Sequence, residues 1–215
     1  TPMLVITALV LALLANRATK LKKSLRVIFY LPSVLSVSIA SLIAKYTFTP
    51  YTGLINGTLH ALGLLPKSEE LQWLQDPNLV WITISVMTVW WTIGFSMLLY
   101  LSALQDISPD VYEAASIDGA SSIQQLFRIV LPLLKPTTWL VFLLQMIACF
   151  KVFGQIYMIT GGGPASSTRP LIQYIYENAF GKSNMGYAAA MSYVLFGILL
   201  ILSLAQQILQ RKGEE

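Results

Sequence analysis

Residues 79–104 read LVWITISVMTVWWTIGFSMLLYLSAL and contain no Asp, Glu, Lys or Arg. A helix of this length, at about 1.5 Å per residue, exceeds the roughly 30 Å hydrocarbon core of a bilayer. Four other apolar stretches flank it, at 2–15, 27–48, 137–159 and 187–209. The last three are each long enough to cross. The first reaches only about 21 Å and reads as part of a helix whose beginning lies upstream of Thr1. A signal peptide fits it less well, because the basic residues follow the apolar run instead of preceding it. The whole chain of 215 residues is 55% apolar and 11% charged, with mean hydropathy +0.65. Soluble domains carry about 25% charged residues, so an ordinary soluble enzyme and a disordered chain are both excluded. The single cysteine, Cys149, excludes an internal disulfide and a four-cysteine zinc site, and the single histidine, His60, excludes a di-histidine centre. The pattern predicts an all-α, polytopic integral membrane bundle with five visible spans.

Basic residues orient the bundle. Residues 16–26 hold Arg17, Lys20, Lys22, Lys23 and Arg26, which places that segment on the cytoplasmic side. Alternation then puts 49–78 outside, 105–136 inside, 160–186 outside and 210–215 inside. Nine Lys/Arg fall inside and four, Lys45, Lys67, Arg169 and Lys182, fall outside. A net charge of +4 is thus read as cytoplasmic bias and not as a nucleic-acid surface. Within 49–78, Leu54, Ile55, Thr58, Leu59 and Leu62 recur at helical spacing and predict a short interfacial helix. Trp73 and Trp81 mark the start of the next span as belt aromatics.

Nucleotide hydrolysis finds no support in these residues. Gly181-Lys182-Ser183 resembles the end of a phosphate-binding loop, but position 176 is Tyr where that loop needs Gly. The run Gly161-Gly162-Gly163-Pro164 is followed by no Lys-Ser/Thr pair. Asn56-Gly57-Thr58 matches a glycosylation sequon without other support. His60 reads as a solvated or interfacial loop residue. No catalytic, cofactor-binding or metal-ligating set emerges.

The loop 105–136 carries more information. Ser108-Pro109-Asp110 has the N-cap, first-turn proline and dipole-facing carboxylate of a helix start. The helix continues through Glu113, Ala114 and Ala115 and meets a C-terminal stop at Gly119. Ser122-Ile123-Gln124-Gln125 offers a capping box for a second helix over 123–131, and Pro132 and Pro136 punctuate entry to the next span. Small Ala114, Ala115 and Ala120 beside Glu113 and Asp118 fit two readings, a solvated amphipathic loop or a docking element for a basic surface.

Glu113-Ala114-Ala115, Gly119, Ile129, Leu131 and Pro132 together resemble the EAA loop of permease subunits in bacterial ABC importers. Asp118-Gly119-Ala120, the run from Leu131 to Pro136, and Tyr157 to Pro164 are similar to the carbohydrate-uptake branch, akin to the first permease of the maltose and glycerol-phosphate systems. The likeness extends over the whole chain. It implies a type I importer permease, one transmembrane domain over 1–215, in the bacterial inner membrane with the EAA loop and C-terminus cytoplasmic. It further implies that Glu113, Ala114, Ala115, Asp118 and Gly119 seat in a cleft of a cytoplasmic ATPase, with Ile129, Leu131 and Pro132 anchoring the second helix against the spans. The partners implied are a second permease, two ATPase subunits, an extracytoplasmic sugar-binding protein and membrane lipid. ATP and magnesium would be held by the ATPase and no cofactor by this chain, which is then not itself an enzyme.

Substrate contacts are read from the fourth long stretch. Lys151 is its only formal charge, and an ammonium within a span faces a bundle interior or a wet cavity. Gln155 lies four residues on, on the same face of a continuous helix. Tyr157 and Trp90 offer stacking surfaces. The expected function is translocation of a sugar or oligosaccharide. The alternatives are a permease for glycerol-phosphate, an amino acid or an ion, and a membrane-embedded enzyme, for which carboxylates or histidines clustered at one membrane face are missing.

Overall fold

The computed structural model describes residues 1–17, 22–66 and 68–212. Lys20 and Lys67 lie outside the described residues, as do the side chains of Arg17, Lys22, Arg211 and Lys212. Among the described residues there is no strand. The α-helices in order are α1 (Pro2–Arg17), α2 (Lys22–Val34), α3 (Val37–Thr47), α4 (Leu54–Ala61), α5 (Leu79–Gln105), α6 (Pro109–Ile117), α7 (Ser122–Gln125), α8 (Leu131–Leu133), α9 (Lys135–Phe150), α10 (Gly154–Ile159), α11 (Leu171–Tyr176) and α12 (Met185–Lys212). Two π-helical turns, Leu126–Val130 and Glu177–Gly181, follow α7 and α11. The short helix expected within 49–78 is present as α4.

Among the described residues, α5 and α12 are the two single helices long and apolar enough to span. Counting each bent helix pair as one span gives up to four among the described residues. The stretch 27–48 is divided between α2 and α3, which meet at 101°. Ser36 caps α3 by accepting from the Ile39 N–H at 3.3 Å, so a new helix starts there. Pro32, inside α2, also deprives the preceding turn of one N–H donor. The stretch 137–159 is divided between α9 and α10 by Lys151–Phe153, where Phe153 takes a non-helical φ of −145° and ψ of −70°. A third bend, of 62°, separates the run Ser122–Leu133 from α9.

The chain divides into two compact units. The first comprises Thr1–Ser33, Thr92–Ile147 and Ser203–Glu215. Its α1 buries Leu4, Val5, Ala8, Ala12 and Ala15, a helical-period stripe in which small side chains admit close packing. From α5 it buries Ile93, Met97, Tyr100, Leu101 and Leu104. Buried glutamines link its helices: Gln145 Nε2 donates to Ser96 Oγ at 2.6 Å, and Gln206 Nε2 donates to the Trp139 carbonyl at 2.7 Å. At Gly94 the backbone of α5 lies so close to α2 that an added Cβ would stand 2.6 Å from the Phe29 carbonyl oxygen and 2.7 Å from Tyr30 Cα.

The second unit comprises Val34–Trp91 and Ala148–Leu202. Ala44, Phe48, Met87 and Ile159 form one apolar cluster, sealed by Ile55, Trp73 and Leu74. Val80, Ile84 and Ile156 form another, against Val152. Above α4 a carboxylate gathers its own loop. Glu70 accepts from the Tyr51 N–H at 3.0 Å, from Asn56 Nδ2 at 2.5 Å and from His60 Nε2 at 3.1 Å. Both ring nitrogens of His60 are engaged, since Nδ1 also lies 3.1 Å from the Leu65 carbonyl oxygen. His60 is thus a structural clasp and not a solvated residue. Asn56 is buried and also holds Trp73 Nε1 through its Oδ1, so the sequon asparagine is already engaged.

Two outcomes follow from this packing. Gly94→Ala should lower stability by about 1–3 kcal/mol through overpacking against immovable backbone. Gly57→Ala, where a Cβ meets nothing within 4 Å, should be neutral or gain up to about 1 kcal/mol of helix propensity; thermal unfolding in detergent compares the two. Glu70 is held below the ordinary carboxylate value, first by the Tyr51 N–H, against the opposing effect of burial, and then by Asn56 and His60. A depressed folded-state value means that its stabilisation is complete above the unfolded value of about 4.3 and is lost as pH falls through the folded one. Amide exchange over residues 51–73 should accelerate in that acid window, and Glu70→Gln should lack the acid step.

Candidate functional site

Two places combine exposure with built geometry, one in each unit. In the first unit, Ser108 caps α6, accepting from the Asp110 N–H at 3.3 Å, with Pro109 in the first turn. At the other end Gly119 takes φ +75°, a conformation that costs glycine little. Its N–H donates to Ser116 O at 3.1 Å and the Ala120 N–H to Ala115 O at 2.9 Å, the paired bonds that close a helix C-terminus. The second helix begins one residue earlier than its sequence suggests. Ser121, not Ser122, is the N-cap: its Oγ accepts from the Gln124 N–H at 3.3 Å while Gln124 Oε1 accepts from the Ser121 N–H at 2.8 Å. Gln125, the expected partner of Ser122 in the capping box, instead pins the elbow. Its Nε2 donates to Ser116 Oγ at 3.1 Å and to the Ala120 carbonyl at 3.2 Å.

The run then widens into a π turn, with the Leu131 N–H reaching back to the Leu126 carbonyl. Pro132 brings no N–H and its ring crowds the carbonyl four residues back, so the wider turn relieves a clash that a regular α-helix would keep. Ile129 and Leu131 are half-buried and Pro132 is exposed; Val130 and Leu134 are the residues that bury fully. Within this chain Val130 and Leu134 carry the burial of this run, with Ile129 and Leu131 partly covered beside them. Glu113, Ala114, Asp118 and Gly119 are exposed, whereas Ala115 faces inward. Alongside them Ile117 is 86% exposed, Ile123 70% and Phe127 63%. Ile117, one helical turn beyond Glu113, shares its face. Between the elbow and α1 and α5 lies a cavity of about 290 Å³, lined by Leu13, Asn16, Leu104, Tyr112, Gln125 and Val130 among others. Burial pushes the Tyr112 phenol pKa up.

In the second unit the two interrupted stretches meet. Helix α3 packs on α10, and Gly154, which opens α10, sits against Val37, which opens α3, its Cβ position 3.4 Å from Val37 Cγ2. Because the Ile39 N–H bonds the Ser36 side chain, the Leu35 carbonyl needs another donor. Trp91 Nε1 provides it at 3.0 Å. Gln155 is buried and its Nε2 donates to Thr88 Oγ1 at 2.7 Å. Lys151 is exposed, on the break itself. Since the helix stops between them, Lys151 and Gln155 do not share a helical face, which corrects the periodicity argument. Tyr157 is 46% exposed and Trp90 37%. Downstream, Thr160, Thr168 and Gln173 tie the Gly161–Pro164 turn: Thr168 Oγ1 donates to the Gly163 carbonyl at 2.7 Å and Gln173 Nε2 to the Gly161 carbonyl at 2.8 Å. Arg169 pairs with Glu177 and lies over the Tyr174 ring. Among the described residues no three His, Cys, Asp or Glu side chains come together in a way that holds a metal ion.

Known proteins share this architecture. A probable ABC transporter permease of Bacillus subtilis is 35% identical over 190 residues, 88% of this chain and 64% of that protein. The sulfoquinovosyl glycerol transport system permease of Agrobacterium fabrum is 36% identical over 188 residues, 87% of this chain and 60% of its own length. The chain thus spans less than two thirds of either relative. The lactose transport system permease of Rhizobium radiobacter is 35% identical over 210 residues, 95% of this chain and 69% of that one. In three dimensions, a bacterial ABC transporter involved in the import of the acidic polysaccharide alginate superposes over 98% of this chain and 72% of its own, with TM-score 0.85 and 25% identity. Residues 5–213 match the sequence profile of one family, and the chain belongs to it: the inner membrane components of binding-protein-dependent transport systems.

Proposed function

We propose that the chain is a transmembrane subunit of an ATP-driven importer that carries a sugar or oligosaccharide handed over by an extracytoplasmic binding protein. The observation that carries the reading is the α6–α7 elbow. It is capped at both ends and pinned by Gln125, yet it exposes carboxylates and large apolar side chains together. Apolar side chains left open at the end of a bundle mark a contact surface. Glu113, Ala114, Asp118 and Ile117 form the seat for a cytoplasmic ATPase subunit, two of which serve the complex and hold ATP and magnesium. A rigid elbow passes their closure to the spans, and Val130 and Leu134 key it into the first unit. The excess of Lys/Arg on this side supports the cytoplasmic placement of the elbow and the C-terminus.

Transport of sugar is supported by the relatives that carry lactose and sulfoquinovosyl glycerol and by the likeness to the alginate importer, whose complex has also been solved with an alginate pentasaccharide-bound periplasmic protein. The reading puts the path at the meeting of the two breaks in the second unit. Interrupted helices survive at membrane depth only where the freed backbone is buried in protein or lines a wet cavity, and they mark transporter binding sites. Lys151 and Tyr157 line the path and Trp90 borders it. Gln155 acts behind it by holding α10 to α5. The nearly bare apolar surface of α12 is covered by lipid and the second permease.

Glu113→Lys in the reconstituted importer should cut transport about tenfold or more, the equivalent of about 1.4 kcal/mol lost at the seat, and reduce recovery of the ATPase. Its thermal midpoint should hold, because Glu113 is exposed. Wild-type transport at wild-type subunit stoichiometry would remove the elbow from coupling. In a Cys149→Ser background, a cysteine at 151 should react with a membrane-impermeant thiol reagent in at least one nucleotide state. Protection in every state, with transport unaffected by Lys151→Met, would take Lys151 out of the path.

A further inference from the structure

Four aromatic rings from separate stretches of the second unit stand together. Phe153 lies 5.4 Å from Tyr157 and 5.1 Å from Tyr176 between ring centroids, and the two tyrosines are 5.9 Å apart. Phe180 extends this triangle at 5.2 Å from Tyr176. The cluster is open: Tyr157 is 46% exposed, Tyr176 40% and Phe180 68%. It starts at the break, because Phe153 is the residue from which α10 begins, and it ends in the π turn after α11. Among the described residues neither Tyr157 nor Tyr176 has a side-chain hydrogen bond.

We propose that Phe153, Tyr157, Tyr176 and Phe180 form a stacking platform for successive pyranose rings of a saccharide on its way to the break. This rests on the sugar-import reading above. A pyranose has a C–H face that lies on an aromatic ring and hydroxyls at its edge that bond a phenol. The platform supplies both at each tyrosine, at a spacing near the width of one hexose. A lipid tail would use the ring faces and leave both phenols idle, whereas Tyr and Trp usually keep a partner for the polar tip. Continuity with the interrupted backbone adds a second reason, since that backbone needs a protein or aqueous lining and not hydrocarbon.

The test uses the complete importer reconstituted in vesicles, with its binding protein and a series of mono-, di- and trisaccharides. Tyr176→Ala and Phe180→Ala should each raise the transport KM of the longer saccharides by roughly two- to tenfold, the range of one aromatic contact, with kcat largely kept. Tyr176→Trp and Phe180→Trp should restore the wild-type KM, which covers the case of an alanine variant that folds poorly. Tyr193→Ala, a 77% exposed aromatic on α12 outside the platform, should leave KM unchanged. A wild-type KM in both alanine variants for every saccharide would overturn the platform and leave the importer reading standing. Loss of the second permease from the Phe180→Ala complex would also overturn it, by making the rings a subunit contact. If the wild-type complex imports no saccharide at all, the platform and the sugar reading fall together.

Discussion

A carbonyl that loses its helical partner within a span has no water to turn to, and the second unit is arranged around that constraint. Ser36 takes the Ile39 N–H for its own side chain, which leaves the Leu35 carbonyl open until the Trp91 indole reaches it from α5. One turn earlier on α5, Thr88 accepts from Gln155 and so holds the short helix α10. A single face of α5 thereby supports both interrupted stretches. The aromatic cluster exists because α10 is held there: Phe153 and Tyr157 are presented at its start and its first turn, where Tyr176 can meet them.

The elbow of the first unit follows the opposite logic. Its bonds are short-range in sequence: Ser108 with Asp110, Ser121 with Gln124, Gly119 with Ser116, and Gln125 with Ala120. Each cap satisfies groups that a helix end would leave open, so the elbow keeps its shape without being buried. That independence suits a piece that meets another protein. A surface element that relied on burial in its own bundle would have little of its area left open. Cohesion of the first unit comes instead from close approach and buried amides, with Gly94 admitting α2 to α5 and Gln145 and Gln206 bonding across helices.

Much of this was legible in the residues taken in order. The spans of α5 and α12 follow from uninterrupted apolar runs, and α6 follows from Ser108, Pro109 and Gly119, because caps and hydrophobic length act within a few residues of one another. The elbow's place in the chain was equally readable, and α6 and α7 stand where its caps lie. The one-residue error at the second cap arose because Ser121 and Ser122 are adjacent, and only the reciprocal bond with Gln124 tells them apart.

What the sequence did not reveal depended on partners far along the chain. Whether 27–48 runs straight or turns through 101° rests on a donor 56 residues away, Trp91, that makes the opened backbone tolerable. That Gln155 is buried, with its Nε2 on Thr88 Oγ1, rests on a partner 67 residues distant. The four rings are spread from residue 153 to residue 180, and no periodicity links them. Local hydrogen bonding and apolar length determine which segments become helices. Where those helices break and which side chains the breaks expose is decided by tertiary contacts, because a freed backbone group inside a membrane is stable only when another element satisfies it.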